Sequence, residues 1–251
     1  MPVFSYEQLR KMNPGEFRVY NFVVSHLEIV PEMNIRQIAG GAGVSTTTVL
    51  RFCEKAGCSG YTELKYRVRQ ELDRSDRKGS FDADPAIQYM KNAAKDEGFA
   101  EKMAQAAKIC EAAGQIILSG NRESRSLIRY GAYLFSGIGK AAFPAEEGWG
   151  SICPEGEAKP ALLILSSQGG GEELISLING YKKAGSPLVS VTNTEHCPIA
   201  QMSDVNFACY MPEISRVSRT GRTELVSQLP LVYLLETLVS EMQGYKIYEN
   251  L

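Results

Sequence analysis

Three polar stretches carry the residues of this chain best suited to bind a small anion or a sugar. They read SGNRESRS at 119–126, SSQGGGEE at 166–173 and TNTE at 192–195. Each stretch comes at the end of an apolar run, and its residues offer hydroxyl, amide and unhindered backbone N–H groups. In an open α/β sheet the ligand binds at the carboxyl ends of the strands. The sequence therefore predicts a site for an anion or a sugar where these runs end.

The cysteines and histidines lack the spacing of a metal or redox site. Six cysteines are scattered along the chain without a C-x-x-C pair, and the two histidines are His26 and His196. We therefore expect no metal site, and for the function favoured below we predict no cofactor and no catalytic residue. Free thiols, the lack of a signal peptide and apolar runs shorter than the ~20 residues that cross a bilayer predict a cytoplasmic protein with no membrane partner.

Five apolar runs would position the polar stretches. They are IILSG (116–120), KAAF (140–143), ALLILSS (161–167), PLVSVTN (187–193) and VNFAC (205–209). Continuous apolar runs separated by helical patterns are typical of buried parallel strands. The predicted fold class is therefore α/β, with an all-α N-terminal domain followed by a doubly wound domain that has a roughly five-stranded parallel sheet.

The chain divides into a helical part and an α/β part. Residues 73–85, DRSDRKGSFDADP, are polar and poor in aliphatic side chains, as a linker would be. We predict a helical domain at 1–77, a linker at 78–85 and an α/β domain at 86–251. Basic residues exceed acidic ones over residues 1–78 (12 against 9), and acidic residues exceed basic ones in the remainder (20 against 15). This asymmetry fits a basic module joined to an acidic one, although chance would also produce it.

Residues 34–56 have the pattern of two short crossed helices. Apolar residues recur at i, i+3, i+4 and i+7 from Ile35 to Ala42, which predicts that one face of the first helix is buried. Gly43 then breaks the helix, as a tight turn requires. Ser45 is a suitable N-cap for the second helix, whose inner face would consist of Val49, Phe52, Cys53 and Ala56.

The outer face of this second helix is suited to reading DNA. Short hydroxylated residues at its N-terminal end can approach base edges, and arginine or lysine reaches bases and phosphates. The residues that we predict to contact double-stranded DNA are Ser45, Thr46, Thr47, Thr48, Arg51, Lys55 and Lys65. A helix at 14–29 would complete the core, and a helix at 60–72 carries Lys65, Arg67 and Arg69 as candidate phosphate contacts. The alternative is two packed helices with a solvated outer face.

From end to end, the chain resembles the RpiR family of regulators. The resemblance rests on NPGEFRVYNFV, IRQIAGGAGVSTTTVLRFCEKAG and CSGYTELK in the first part, and on ILSGNRESRSLIRYGAYLFSGIGK, LILSSQGGGEELI, LVSVTNTEHCPIAQMSDVNF and SRTGRTELVSQLPLVYLLE in the second. It implies a DNA-binding helix-turn-helix joined to a sugar isomerase (SIS) domain. It also implies an effector that is a phosphorylated sugar or a related carbohydrate derivative, and assembly as a homodimer or homotetramer.

The resemblance places the effector in two loops. The loop residues here are Gly120, Arg122, Ser124, Arg125, Ser166, Ser167, Gln168, Gly170 and Glu172. In the family, hydroxyls of these loops hold a phosphate beside a helix N-terminus. This sequence departs from the pattern, because Arg122 replaces a glycine, Gly169 a serine and Glu172 a threonine. Two expected hydroxyls are therefore missing, and a carboxylate at Glu172 would repel an adjacent phosphate.

Three interpretations of the loops stay open. The effector is a non-phosphorylated or amino-bearing sugar with Glu172 as an acceptor, or a phosphosugar held in a shifted pose by Arg122 or Arg125, or the site is lost and the domain is a dimerisation scaffold. Each residue also has a plain structural role. Glu172 complements a helix dipole, Ser124 caps a helix, and the arginines are surface charges.

The leading hypothesis is a transcription regulator of sugar or amino-sugar metabolism, whose affinity for operator DNA changes when the SIS domain binds its effector. One alternative is an isomerase or lyase of the SIS fold, for which Glu172, Glu213 and His196 are candidate bases by residue type alone. Another is an oligomerisation protein that binds no small molecule. The apolar segment 228–242 predicts a helix buried either at a subunit interface or within one monomer.

Overall fold

The structure is a computed structural model that describes residue 4 and residues 6–27, 29–75, 83–145, 159–167, 169–218 and 221–244. The chain forms two units. The helical unit contains the residues up to Tyr89 together with Tyr210–Ser227, and the sheet unit contains Met90–Cys209 together with the residues from Gln228 onward. The predicted linker at 78–85 falls mostly outside the described residues, and the predicted domain boundaries stay predictions.

Among its described residues, the helical unit begins with five helices. They are α1 (Tyr6–Arg10), α2 (Pro14–Ser25), α3 (Ile35–Gly41), α4 (Thr46–Lys55) and α5 (Tyr61–Ser75). A reciprocal capping box fixes the start of α2, since Glu16 N–H donates to Asn13 Oδ1 at 2.9 Å and Asn13 N–H donates to Glu16 Oε2 at 2.8 Å. Asn34 and Gln37 repeat this arrangement at the start of α3.

The predicted inner face of α4 is confirmed. Its four residues, Val49, Phe52, Cys53 and Ala56, are fully buried. α4 packs against α2, α3 and α5, whose buried side chains include Phe17, Tyr20, Val23, Ile38, Leu64 and Val68. Burial also raises the pKa of the Cys53 thiol to about 12. Cys53 is therefore a core residue, as predicted, rather than a reactive thiol.

The sheet unit has the predicted α/β architecture. Its described elements, with α6 crossing into it from the helical unit, are α6 (Asp84–Ala93), α7 (Glu97–Ala112), β1 (Ile116–Gly120), α8 (Arg125–Gly137), β2 (Ala142–Pro144), β3 (Ala161–Ser166), α9 (Glu172–Lys183), β4 (Leu188–Thr192), α10 (Pro198–Met202), β5 (Val205–Ala208) and α11 (Leu229–Met242). The five strands are parallel in the order β2-β1-β3-β4-β5. They coincide with the five predicted apolar runs, with strand ends that differ by two residues at most.

The C-terminal helix α11 is buried within the sheet unit. It packs against α7 and α8, and its inward side chains Leu231, Leu234, Leu235 and Leu238 are all buried. Tyr130 on α8 donates a hydrogen bond to Glu236 Oε1 at 2.6 Å. One face of segment 228–242 is therefore buried within a single chain, and the other predicted setting, a subunit interface, stays a prediction.

A hairpin that the sequence analysis did not predict lies between β5 and α11. Its strands β6 (Glu213–Ser218) and β7 (Gly221–Val226) pair in antiparallel fashion. β6 lies against α2. The ring of Tyr210, just before β6, meets the ring of Phe17 edge-on with centroids 5.8 Å apart. The hairpin is thus part of the helical unit, although the chain on either side of it belongs to the sheet unit.

Across the described part of the chain, no helix combines the length and the apolar character needed to span a membrane.

Candidate functional sites

The turn between α3 and α4 has the predicted geometry of a helix-turn-helix. Gly43 lies in the turn with φ of +62°, a conformation that glycine adopts without steric cost. Ser45 caps α4 as predicted, because Thr48 N–H donates to Ser45 Oγ at 3.2 Å. The hydroxyl oxygens of Ser45 and Thr48 are also 2.9 Å apart. Ser45 and Thr48 therefore set the direction in which α4 leaves the turn.

The outer face of α4 is polar with one apolar exception. The exposed side chains on this face are Thr46, Thr47, Leu50, Arg51, Glu54 and Lys55. Four of them, Thr46, Thr47, Arg51 and Lys55, are predicted DNA contacts that the structure brings together. Leu50, which is 43% exposed, and Glu54 were not predicted. Their signal was present in the sequence, since positions 47, 50, 51 and 54 share one face of a helix.

Lys55 and Lys65, both predicted DNA contacts, already have partners inside the helical unit. Lys55 Nζ lies 2.6 Å from Glu16 Oε2, whose side chain is only 1% exposed, and it donates to the carbonyl oxygen of Lys11 at 2.8 Å. Lys65 Nζ lies 5.9 Å from the centroid of the Tyr61 ring. Their contacts with DNA stay predictions.

Two arginines of α5 are also engaged, whereas Arg51 is not. Arg67 pairs with Glu63 at 2.6 Å, and Arg69 pairs with Glu32 at 2.5 Å. No ion pair or hydrogen bond to another described residue holds the guanidinium of Arg51. Arg51 is therefore the cation of α4 that is ready to meet a phosphate or a base edge.

The second candidate site lies in the sheet unit where the strand order reverses. β1 and β3 are neighbours in the sheet. From β1 the chain continues to β2, toward one edge of the sheet, and from β3 it continues to β4, toward the opposite edge. In an open α/β sheet the loops on either side of such a reversal, here those after β1 and β3, are the expected place of a ligand crevice. The register pairs Gly120 with Leu165, so both loops begin at the same level of the sheet.

A hydrogen-bond network joins these two loops. Asn121 Nδ2 donates to Ser167 Oγ at 3.0 Å, and Ser167 Oγ donates to Glu123 Oε2 at 3.3 Å. Ser124 Oγ donates to Asn121 Oδ1 at 2.8 Å and lies 3.5 Å from Gln228 Oε1. The network places an amide, hydroxyl groups and a carboxylate at the crevice, which is the set of groups that recognises sugar hydroxyls.

The predicted serines are at the crevice but their hydroxyls are engaged. Ser124 and Ser166 are fully buried, and Ser167 is nearly so. Ser166 Oγ accepts a hydrogen bond from Gly169 N–H at 3.1 Å, which shapes the loop after β3. A ligand that uses these hydroxyls would therefore have to exchange hydrogen bonds within the network.

The other predicted ligand contacts lie at the ends of the loops. Arg122, Arg125 and Glu172 are exposed, whereas Gly120 and Gly170 are half-buried. Gln168 lies outside the described residues. The residue before α9, Gly171, provides no capping side chain. The first-turn N–H groups of α9 therefore lack a side-chain acceptor at the cap position.

Three residues of the network, Asn121, Glu123 and Gln228, were not predicted. Asn121 and Glu123 lie inside the predicted loop SGNRESRS, so their residue types were a usable signal. Gln228 follows the hairpin, about 100 residues later in the chain, and its approach to Ser124 depends on the packing of α11 against α8. No local pattern in the sequence indicates that approach.

Two family models match this chain. Residues 6–75 match the helix-turn-helix domain of the rpiR family, and residues 109–236 match the SIS domain. The second match covers β1 to β5 and most of α11, and hence both loops of the crevice.

Similar proteins match over nearly the whole chain. The HTH-type transcriptional regulator GlvR of Bacillus subtilis is 22% identical over 96% of this chain and 94% of its own length. The uncharacterized HTH-type transcriptional regulator TTE0211 of Caldanaerobacter subterraneus is 23% identical over 94% of this chain and 88% of its own length. Among solved structures, the Vibrio vulnificus NanR protein complexed with ManNAc-6P has a TM-score of 0.53 and 22% identity, covering 95% of this chain and 91% of NanR.

Proposed function

Since the chain belongs to the RpiR family of regulators, which join a helix-turn-helix to a SIS domain, we propose that it binds operator DNA through α4 under the control of a sugar derivative. The observation that carries the proposal is the outer face of α4, where Thr46, Thr47 and Arg51 are exposed together beside a capped N-terminus. In a helix-turn-helix such a face enters the major groove. The effector would bind in the crevice between the loops after β1 and β3.

The crevice favours an effector with several hydroxyl groups. Asn121, Ser167 and Gln228 offer donors and acceptors, while the carboxylates of Glu123 and Glu172 accept from hydroxyl or ammonium groups. The NanR complex with ManNAc-6P supports a sugar of the amino-sugar class. A phosphate would need Arg122 or Arg125 to offset the two carboxylates.

The effector would act by changing how well the protein binds DNA. A ligand shifts the equilibrium between a state that binds DNA well and one that binds it poorly only as far as its affinities for the two states differ. We propose that the protein works as a homodimer or homotetramer, because two copies of α4 related by a two-fold axis would read a near-palindromic operator.

We expect Arg51→Ala to lower the affinity for operator DNA about tenfold or more, because a bidentate contact from arginine to a base contributes about 1–3 kcal/mol. The probe is a duplex that the wild-type protein enriches from a random library, and binding is measured by fluorescence anisotropy. Lys108→Ala is the matched control, because it removes the same charge from an exposed position of α7 in the sheet unit. Equal losses in the two variants would contradict a role for α4 in DNA reading.

We expect one class of sugar to raise the melting temperature of the full chain, because a ligand at 100 times its Kd adds about 2.7 kcal/mol of stability. The panel comprises neutral, amino and acidic sugars, each with and without a phosphate. Glu172→Gln separates the interpretations, since it should weaken an amino sugar and strengthen a phosphosugar. If no compound shifts the melting temperature, the result favours the interpretation that the site is lost and the sheet unit is a dimerisation scaffold.

An enzymatic role is a weaker proposal. The relatives named above are transcriptional regulators, which supports a non-catalytic function. Of the three candidate bases, His196 is exposed beside Glu195, at 3.8 Å, Glu172 is exposed at the start of α9, and the side chain of Glu213 lies outside the description. Turnover of any sugar phosphate in the panel by the purified protein would revive this alternative.

A further inference from the structure

Leu50 is an apolar residue on the otherwise polar outer face of α4. Its side chain is 43% exposed, whereas Val49, Phe52 and Cys53 on the same helix are fully buried. A large part of the Leu50 side chain is therefore left in contact with water rather than packed in the core of the helical unit. An isolated exposed leucine is common on protein surfaces and needs no explanation by itself. The residues beside Leu50 on α4, however, indicate a role for this leucine.

The neighbours of Leu50 form a surface suited to the major groove. Thr47 precedes it by one helical turn, Arg51 follows it directly, and Glu54 lies one turn beyond. All four side chains are exposed, and residues three or four apart are adjacent on a helix. Thr47, which carries a γ-methyl group, and Leu50 are thus neighbours on an exposed face whose other side chains are polar.

The major groove offers one apolar group on its base edges, the C5-methyl group of thymine. Resting on the proposed DNA-binding function, we infer that Leu50 reads a thymine by packing against this methyl group. The contact removes the exposed apolar surface of Leu50 from water on binding. It makes Leu50 a specificity-determining residue beside Arg51, whose task is to bind guanine or phosphate.

The test uses deoxyuridine, which differs from thymidine only by the missing methyl group. The wild-type protein first enriches a duplex from a random library, and each thymine of that duplex is then replaced in turn by deoxyuridine. We expect one position in each half-site at which the replacement lowers wild-type affinity about fivefold. At that position Leu50→Ala should bind the thymine and deoxyuridine duplexes equally, while Leu50→Met should retain most of the preference.

Both substitutions place strong helix formers at a partly exposed position, and so both variants should remain folded, which a cooperative thermal unfolding transition checks. The inference is overturned if no deoxyuridine replacement weakens the wild-type complex, or if the replacement weakens the wild-type and Leu50→Ala complexes equally. It is also overturned if Leu50→Ala changes the oligomeric state, since Leu50 would then serve a protein interface. Failure to enrich any duplex at all would instead refute the proposed DNA-binding function itself.

Discussion

Replacing Gly120 by alanine is expected to lower the stability of the sheet unit by about 3 kcal/mol, at the upper end of the usual cost of overpacking. A Cβ atom at this position would overlap the carbonyl oxygen of Leu165 on the neighbouring strand. That oxygen is part of the backbone and accepts a hydrogen bond from Asn121 N–H, so it cannot move aside as a side chain can. The substitution would therefore push β1 and β3 apart at the mouth of the crevice.

Thermal unfolding checks this expectation, with a decrease in melting temperature of about 6–12 °C for a chain of this size. Gly137→Ala is the matched control, because Gly137 ends α8 and a Cβ atom there meets nothing within 4 Å beyond its chain neighbours and the backbone of its own helix. An alanine at that helical position should leave stability unchanged or raise it slightly. Similar melting temperatures for the two variants would show that β1 and β3 tolerate separation.

The second large effect is expected from Lys55→Met, which should destabilise the helical unit by about 2–3 kcal/mol, since it leaves a buried carboxylate without its cation. Glu16 is 1% exposed, and Lys55 supplies its charged partner at 2.6 Å. The figure is below the range for fully buried pairs because the Lys55 side chain is 38% exposed. Hydrogen exchange of the amides of α2 and α4 would locate the loss of stability in this unit.

Glu16→Gln combined with Lys55→Met should recover much of the lost stability, because the double variant no longer buries an unpaired charge. If the single and double variants are equally unstable, the pair contributes no more than packing. The double variant also tests the predicted role of Lys55 in DNA binding. A folded double variant with wild-type affinity for the enriched duplex would assign Lys55 a structural role alone.

The elements of this fold that could be predicted from sequence are those with a local cause. The start of α4 could be predicted because Ser45 caps the helix and Gly43 allows the turn before it. The strands β1 and β3 are continuous apolar runs because they are buried on both faces of a parallel sheet. In each case the residues that produce the structure are adjacent in sequence.

The parts that were missed depend on contacts between distant residues. The hairpin strands, EISRVS and GRTELV, are mostly polar, so a search for apolar runs passes over them. The engagement of Lys55 by Glu16 joins residues 39 positions apart, and that of Ser124 with Gln228 spans 104. A basic residue on an outer helix face gives the same sequence signal whether it meets DNA or a buried carboxylate.

The discontinuity of the helical unit has a consequence for how the protein is made. Its first segment ends at Tyr89, and its second, with β6 against α2, begins at Tyr210. At ribosomal rates of 5–20 residues per second, the roughly 120 intervening residues take on the order of ten seconds to synthesise. The nascent helices must wait through this interval without the hairpin, during which the surface of α2 that β6 covers stays open to chaperones or to other nascent chains.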